Sequence, residues 1–374
     1  MADTFYFSRD TKVHLKDSAN KVYNIPVLDG FSFSQATNTT EVTLNEMTNA
    51  AGVSRRARQM FTDSYAPAEW SFSTYIRPFA TGGGGSGGEH GGSAGDEHMV
   101  EEALWNAIAG SAATGASGAG FTTSANAGTI AFTNSNKAAL DTFSLHFEMG
   151  SGKSNPTIYQ IADCVVNEVT VDFDIDGIAT AQWSGMGSLI SEQAMPTATI
   201  FEGTASTDTN NFIRNRLTDL TVTATAAGSI ASAYSLTLTG GSFTISNNMT
   251  FLTPETLGVV NQPLGHVTGT RSVSGSFTCY LNTPASGASS TDLFEDLIGS
   301  TTLITNDFNL VFAIGGSGAS VKPKFTATFP TCHLEVPTHS IDDLVSLETT
   351  FHALPTSVDG TDEVTLVAVG PTVN

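Results

Sequence analysis

Residues 141–185 read DTFSLHFEMGSGKSNPTIYQIADCVVNEVTVDFDIDGIATAQWSG. Phe143, Leu145 and Phe147 alternate with polar residues, which gives a strand one face to bury. Gly150 to Asn155 is a turn cluster, and Ile158 to Val166 returns as the partner strand. Val169, Val171 and Phe173 begin a third run. Ala179, Ala181 and Trp183 begin a fourth, across a turn at Asp176-Gly177. The chain contains this pattern twice. Residues 306–354 read NDFNLVFAIGGSGASVKPKFTATFPTCHLEVPTHSIDDLVSLETTFHAL. Phe308 falls on Phe143, Leu310 on Leu145, Phe312 on Phe147, Cys332 on Cys164, Leu334 on Val166 and Phe351 on Trp183, with a glycine-serine turn at the same place in both.

Working outward, the rest of each half follows one order. In the first, VHLKD and VYNIPVLDG are short β runs, and FSFSQATNTTEVTL alternates through Phe31 and Phe33. An aperiodic loop, Asn45 to Pro67, carries Arg55, Arg56 and Arg58 before the strand EWSFSTYIRPF. Gly82 to Gly95 is low-complexity and expected to be disordered. EHMVEEALWNAIAGS is expected as a helix with Leu104, Trp105 and Ile108 in its apolar stripe and Gly110 as its stop. A small-residue loop, Ala112 to Gly128, leads into TIAFTN.

In the second half LTDLTVTATAAGS and AYSLTLTGG stand for the first pair of strands. GSFTISNNMTFL puts Phe243 on Phe31 and Ile245 on Phe33. The irregular stretch Thr253 to Thr270 replaces the arginine-bearing loop. RSVSGSFTCYLN puts Phe277 on Phe72, Tyr280 on Tyr75 and Leu281 on Ile76. STDLFEDLIGS repeats the helix, with Leu293, Phe294, Leu297 and Gly299 on Leu104, Trp105, Ile108 and Gly110, and Ser290 or Thr291 as N-cap. The expectation is a mainly β protein of two tandem sandwich or barrel domains, each with one short flanking helix. The domains are 1–203 and 204–374, joined in the polar stretch Gly203 to Asn211.

Composition agrees with this class. A chain of 374 residues is long enough for about two domains. Only 14% of residues are charged, and the Thr-rich alternating runs suit many short strands. The net charge of −21 argues against a protein that grips phosphates. Cys164, Cys279 and Cys332 are too few for a secreted disulfide framework, and Cys164 and Cys332 read as packing residues of equivalent niches. No apolar run approaches the ~18 residues of a membrane span, and the N-terminus lacks an apolar signal region. These features predict a soluble chain made in a reducing cytoplasm.

Three motifs invite a chemical reading. GSGKS, ending at Ser154, resembles the end of a phosphate loop, but Phe147 stands where the leading glycine belongs and no helix follows. Asp172, Asp174, Asp176 and Gly177 match the first half of a calcium loop, yet Trp183 occupies the place of its bidentate acid. His90, Glu97 and His98 lie in or beside a glycine-rich loop that would not preorganise zinc ligands. No nucleophile, base and acid can be grouped, so neither an active site nor a cofactor is expected.

The early extended strands, the long loop before EWSFSTYIRPF, the short helix and the late hairpins ending in DGIATAQWSG resemble the tail tube proteins of long-tailed bacteriophages. The resemblance implies a β-sandwich or small barrel per domain, and tubes of stacked rings of six domains around a channel. With two domains per chain it implies three copies per ring, a place in the virion tail, and genome passage through the lumen without specific binding of DNA. Sheath, terminator and baseplate proteins are the other partners it implies. Arg55, Arg56 and Arg58 would then make ring-to-ring contacts, or else form a solvated basic turn. Glu168, Asp172, Asp174, Glu335 and Asp342 are candidates for an acidic lumen, where like charge would keep DNA from adhering; the alternative is acidity that serves solubility. A baseplate, minor tail or injection-system component fits the same pattern. A two-domain surface binding module would instead predict a monomer with an aromatic groove.

Overall fold

The computed structural model describes residues 5–42, 59–81, 93, 95–110, 120–132, 140–197, 200–201, 208–224, 233–253, 263–283, 287–299 and 308–373. In chain order the first strands are β1 (Thr11–Lys16), β2 (Val22–Ile25), β3 (Ser32–Glu41), β4 (Met60–Tyr75), β5 (Pro78–Thr81) and β6 (Glu97–Met99). Helix α1 (Glu102–Ala109) precedes β7 (Gly120–Thr122), β8 (Gly128–Ala131), β9 (Phe143–Met149), β10 (Thr157–Asp174), β11 (Thr180–Gly187), β12 (Ile190–Glu192) and β13 (Ile200–Phe201). Then come β14 (Asp219–Ala224), β15 (Tyr234–Ser235), β16 (Thr237–Ser246), β17 (Thr250–Leu252), β18 (Gly265–Val267) and β19 (Ser272–Tyr280). Helix α2 (Ser290–Gly299) is followed by β20 (Phe308–Ile314), β21 (Lys324–Leu334), β22 (Thr338–Ile341), β23 (Val345–Ala353), β24 (Thr365–Val369) and β25 (Thr372–Val373).

Eight of these strands form one antiparallel sheet in the order β3-β4-β11-β10-β16-β19-β23-β22. Two further sheets cover its inner face. One runs β12-β10-β9-β1-β2-β13, the other β7-β8-β24-β21-β20-β14-β15. β10 belongs to two of the sheets. Its first part pairs with β9 and its second with β11 and β16, and the change comes at Asp163, whose φ of 48° marks a bulge. The two runs expected at Ile158–Val166 and Val169–Phe173 are therefore a single strand, since neither glycine nor proline interrupts them. The matching stretch of the second half is cut into β21 and β22, with Pro337 between them.

The core lies between the eight-stranded sheet and its covering sheets, and α1 sits inside it. All eight residues of α1 are buried. Trp105 meets the rings of Trp183 at 4.8 Å and Phe325 at 5.3 Å, so the helix is an internal packing element rather than a flanking one. It is shorter than expected, because Glu97–Met99 pairs with β5 as a strand. Gly110 ends it with φ of 87°, a left-handed stop. The N-cap of α2 is Ser289, not Ser290 or Thr291. The Asp292 carboxylate accepts the Ser289 N–H at 2.7 Å, as in a capping box, and Ser290 instead ties the strand end at Tyr280.

Besides the β10–β16 ladder, further contacts cross the expected boundary at 203/204. β8 pairs with β24, β5 pairs with β25, and Glu97 takes Lys322 Nζ at 2.9 Å and the Gly370 N–H at 2.7 Å. Part of each expected loop belongs to a strand. Residues 60–67 belong to β4, whose ladder with β3 reaches Glu41–Met60, and β18 pairs with β17 inside the stretch Thr253 to Thr270. Of the glycine-rich stretch Gly82 to Gly95, residues 82–92 and 94 lie outside the described residues.

The ladders revise two residue matches. Thr349, not Phe351, lies opposite Phe277, while Trp183 lies opposite Phe72. With Phe277 matched to Phe72, Phe351 therefore matches Gly185. Similarly, Phe243 lies opposite Gly275 and Phe33 opposite Trp70, which matches Phe243 to Phe33 rather than Phe31. Both revisions are two residues long, the step that keeps a side chain on its own face. They have a packing reason. Trp70 lies across Gly185, where a Cβ would come within 2.5 Å of its ring, and Phe351 lies across Gly275, where a Cβ would come within 2.7 Å. One aromatic fills the niche in each half, supplied from opposite strands.

Candidate functional site

The outer face of the eight-stranded sheet is the candidate site. Along β10, Val169, Val171 and Phe173 point to the core, so Glu168, Thr170, Asp172 and Asp174 alternate onto the other face. Ladder partners share a face. Asp172 stands beside Thr180 and Ser242, and Thr170 beside Gln182 and Thr244, with the two threonine hydroxyls 2.9 Å apart. Beyond them lie Ser73 and Ser71 of β4, Ser274 and Ser276 of β19, and Glu348 and Thr350 of β23. The surface is hydroxyls and carboxylates.

None of the eight strands contains a lysine or an arginine, although the chain has 15 such residues. Basic side chains sit instead on the covering sheets, as Lys12 and Lys16 of β1 and Lys324 of β21 do. No cation on these strands therefore neutralises the face, and partial desolvation by the adjoining strands raises the exposed Asp172 carboxyl above its ordinary 3.8.

The sequence-predicted residues divide. Glu168, Asp172 and Asp174 come together on β10, with Asp172 and Asp174 exposed. Glu335 follows β21; its N–H donates to Thr350 O at 2.9 Å and its carboxylate lies 3.4 Å from His352, at the margin of the same face. Asp342 is exposed in the turn between β22 and β23. Arg55, Arg56 and Arg58 lie outside the described residues. Sequence reasoning missed Glu69, which pairs with Met186 and Ser34, and Glu348, which pairs with Thr278 and Thr338. The usable signal was their alternation with Trp70 and Phe72, and with Leu347 and Thr349.

The other motifs have structural partners. Lys153 of GSGKS donates to Phe5 O at 2.7 Å and lies over the rings of Tyr6 and Phe7. His98 Nδ1 is 2.8 Å from Glu102, and the buried Arg77–Glu101 pair is 3.3 Å apart. Burial pushes the Glu101 carboxyl up to about 7 against the pull of Arg77. His90 lies outside the described residues. Asp176 bonds Arg216 at 3.1 Å on the surface.

Two comparisons bear on this arrangement. A family model described as "Phage tail tube protein" matches residues 62–374. The tail tube protein pb6 of Escherichia phage T5 is 31% identical over 367 residues, which cover 95% of this chain and 74% of that protein.

Proposed function

The chain belongs to the phage tail tube protein family, and on that premise we propose that three copies close into a ring whose inner wall is the eight-stranded sheet. Its role is structural rather than enzymatic, and its place is the virion tail. Rings stack into a tube, and the genome passes along the lumen during ejection. The halves are copies of one unit. That reading is supported by the same bulge in both: Cys164 lies opposite Phe143 and Cys332 opposite Phe308, each just past a register shift. The lumen wall is supported by one observation above the others, the absence of lysine and arginine from all eight strands. A duplex carries about one negative charge per 1.7 Å, so a wall of hydroxyls and carboxylates offers it no counterion and lets it slide.

The dimensions agree. Three copies carry about twenty-four strands, which at ~4.8 Å spacing and a tilt of ~35–45° make a wall roughly 45–50 Å across. Side chains leave a bore wider than a DNA duplex. The β3–β4 arm, with Met60 and Phe61 exposed at its end, reaches toward a neighbouring ring. Sheath, terminator and baseplate proteins are further contacts of the tube.

Negative-stain microscopy of the purified protein, with mass per unit length, tests this. Tubes of constant diameter with three 39.0 kDa chains per ring repeat are the expected result. Six chains per repeat would refute the three-chain ring, and a protein that stays monomeric at all concentrations would refute the tube.

A further inference from the structure

The β3–β4 arm has a counterpart in the second half that takes another course. Continuing the ladder matches above, Thr250 of β17 falls on Thr40, and His266 and Val267 of β18 fall on Phe61 and Thr62. In the first half the ladder runs on to Glu41–Met60, and Phe61 is 63% exposed. In the second the ladder stops at Ser246–Ser272, and the hairpin beyond it turns aside over the first half. The corner is written into its residues. Asn248 takes φ of 47°, and Asn247 donates to Ile108 O at 3.1 Å and to Val166 O at 3.2 Å. At Gly269 a Cβ would strike Asn248 O.

Past the corner the hairpin is held against the first half. The Met249 N–H donates to Asn167 Oδ1 at 2.9 Å. Met249 and Phe251 pack with Leu140, Val165 and Met186, and Val165 is fully buried in that cluster. The Leu140 N–H donates to His266 Nε2 at 2.9 Å, and the Phe251 ring lies beside the imidazole with centres 5.8 Å apart. An Nε2 that accepts carries no proton, so this bond exists only with the neutral ring. Leu252 and Val267, on the other side of the hairpin, are exposed.

We propose that His266 is a latch that keeps this second arm docked while its ring is neutral and releases it on protonation. Imidazolium bears a proton on both nitrogens, so Nε2–H would meet the Leu140 N–H donor to donor, and that N–H would lose its acceptor. Burial holds the His266 pKa below its ordinary 6.5, with the Asp163 carboxylate pulling the other way. Asp141 stands next to Leu140, Glu69 lies across the groove lined by Met249 and Phe251, and Arg271 at the corner is held by Glu363. Docking is therefore fully favoured above pH 6.5 and is lost as pH falls from there through the lowered pKa. Release uncovers Leu140, Val165 and Met186 and frees the arm for the straight course of β3–β4, so protonation changes which apolar residues the chain exposes. The device belongs to the single chain and does not depend on ring formation.

Hydrogen exchange of the unassembled chain tests this, with rates corrected for the intrinsic pH dependence of amide exchange. At about pH 7.5 the Leu140 amide and the hairpin strands are expected to be protected. At about pH 5 that protection should fall by about tenfold, the equivalent of one lost hydrogen bond, while the β16–β19 ladder keeps its own. His146, lowered to about 4, is still neutral there. His266→Gln, whose Oε1 accepts the same N–H without titrating, should stay docked at both pH values. His266→Phe keeps a ring and loses the acceptor, and should be open at both. Val165→Cys gives an independent readout: its thiol should resist a pyridyl disulfide at the higher pH and react at the lower, against native cysteines that are buried. Equal protection of the unsubstituted chain at both pH values would overturn the latch. So would an acid-induced loss that persists in His266→Gln, or a His266→Phe chain that stays docked.

Discussion

Replacement of Trp105 by alanine separates an internal helix from a flanking one. The indole is fully buried, it meets Trp183 edge-on at 4.8 Å, and it reaches Phe325 of the second half at 5.3 Å. Truncating a buried tryptophan costs about 3–5 kcal/mol, because the cavity adds to the lost transfer energy. Part of that, about 0.5–1.5 kcal/mol, belongs to the aromatic pair. Against a total stability of ~5–15 kcal/mol the loss is a large fraction. Phe294, which was matched to Trp105 in sequence, is only half-buried on α2, and Phe294→Ala should cost about 1–2 kcal/mol. The assay is urea unfolding of the unassembled chain, followed by circular dichroism, comparing midpoints at constant slope. Equal losses for the two variants, or a loss for Trp105→Ala below about 1.5 kcal/mol, would refute the internal placement of α1.

Gly185→Ala should destabilise by about 1–3 kcal/mol, since the added Cβ would meet Val165 O at 2.1 Å as well as the Trp70 ring; thermal melts report it. Glu101, whose pKa rises from 4.5 to about 7, binds its proton more tightly folded than unfolded. Its contribution is present below pH 4.5 and lost as pH rises through 7. Glu101→Gln should therefore gain on the unsubstituted protein across that window, by on the order of 3 kcal/mol, and parallel stability–pH curves would contradict this. His146, lowered to about 4 by burial, acts in the opposite sense: stability is lost as pH falls from 6.5 through 4, and His146→Asn should flatten that limb. Burial pushes all three thiols up, Cys279 to about 11 and Cys332 to about 12. A thiol reagent should accordingly count no cysteines in the native protein and three in denaturant, and fast native labelling would contradict the packing.

Much of this protein is decided along the chain itself. Alternation with period two sets which side chains of each strand are buried, and it assigned Val169, Val171 and Phe173 to the core and Asp172 and Asp174 to the opposite face before any neighbour was known. The missing lysines and arginines of the eight strands are likewise a property of the chain, as is the family to which it belongs. What the tertiary structure alone decided is adjacency. A strand's pattern specifies its face but not its neighbour, because ladder partners such as Val171 and Phe243 are remote in sequence and are chosen by hydrogen bonding across the sheet. For the same reason the joining of β10 to β16, the return of β24 and β25 to the first half, and the two-residue displacement of Phe351 could not be read in advance. Helix α1 makes the point for burial: its apolar stripe is what a surface helix also needs, and only the covering strands turn it into a core element.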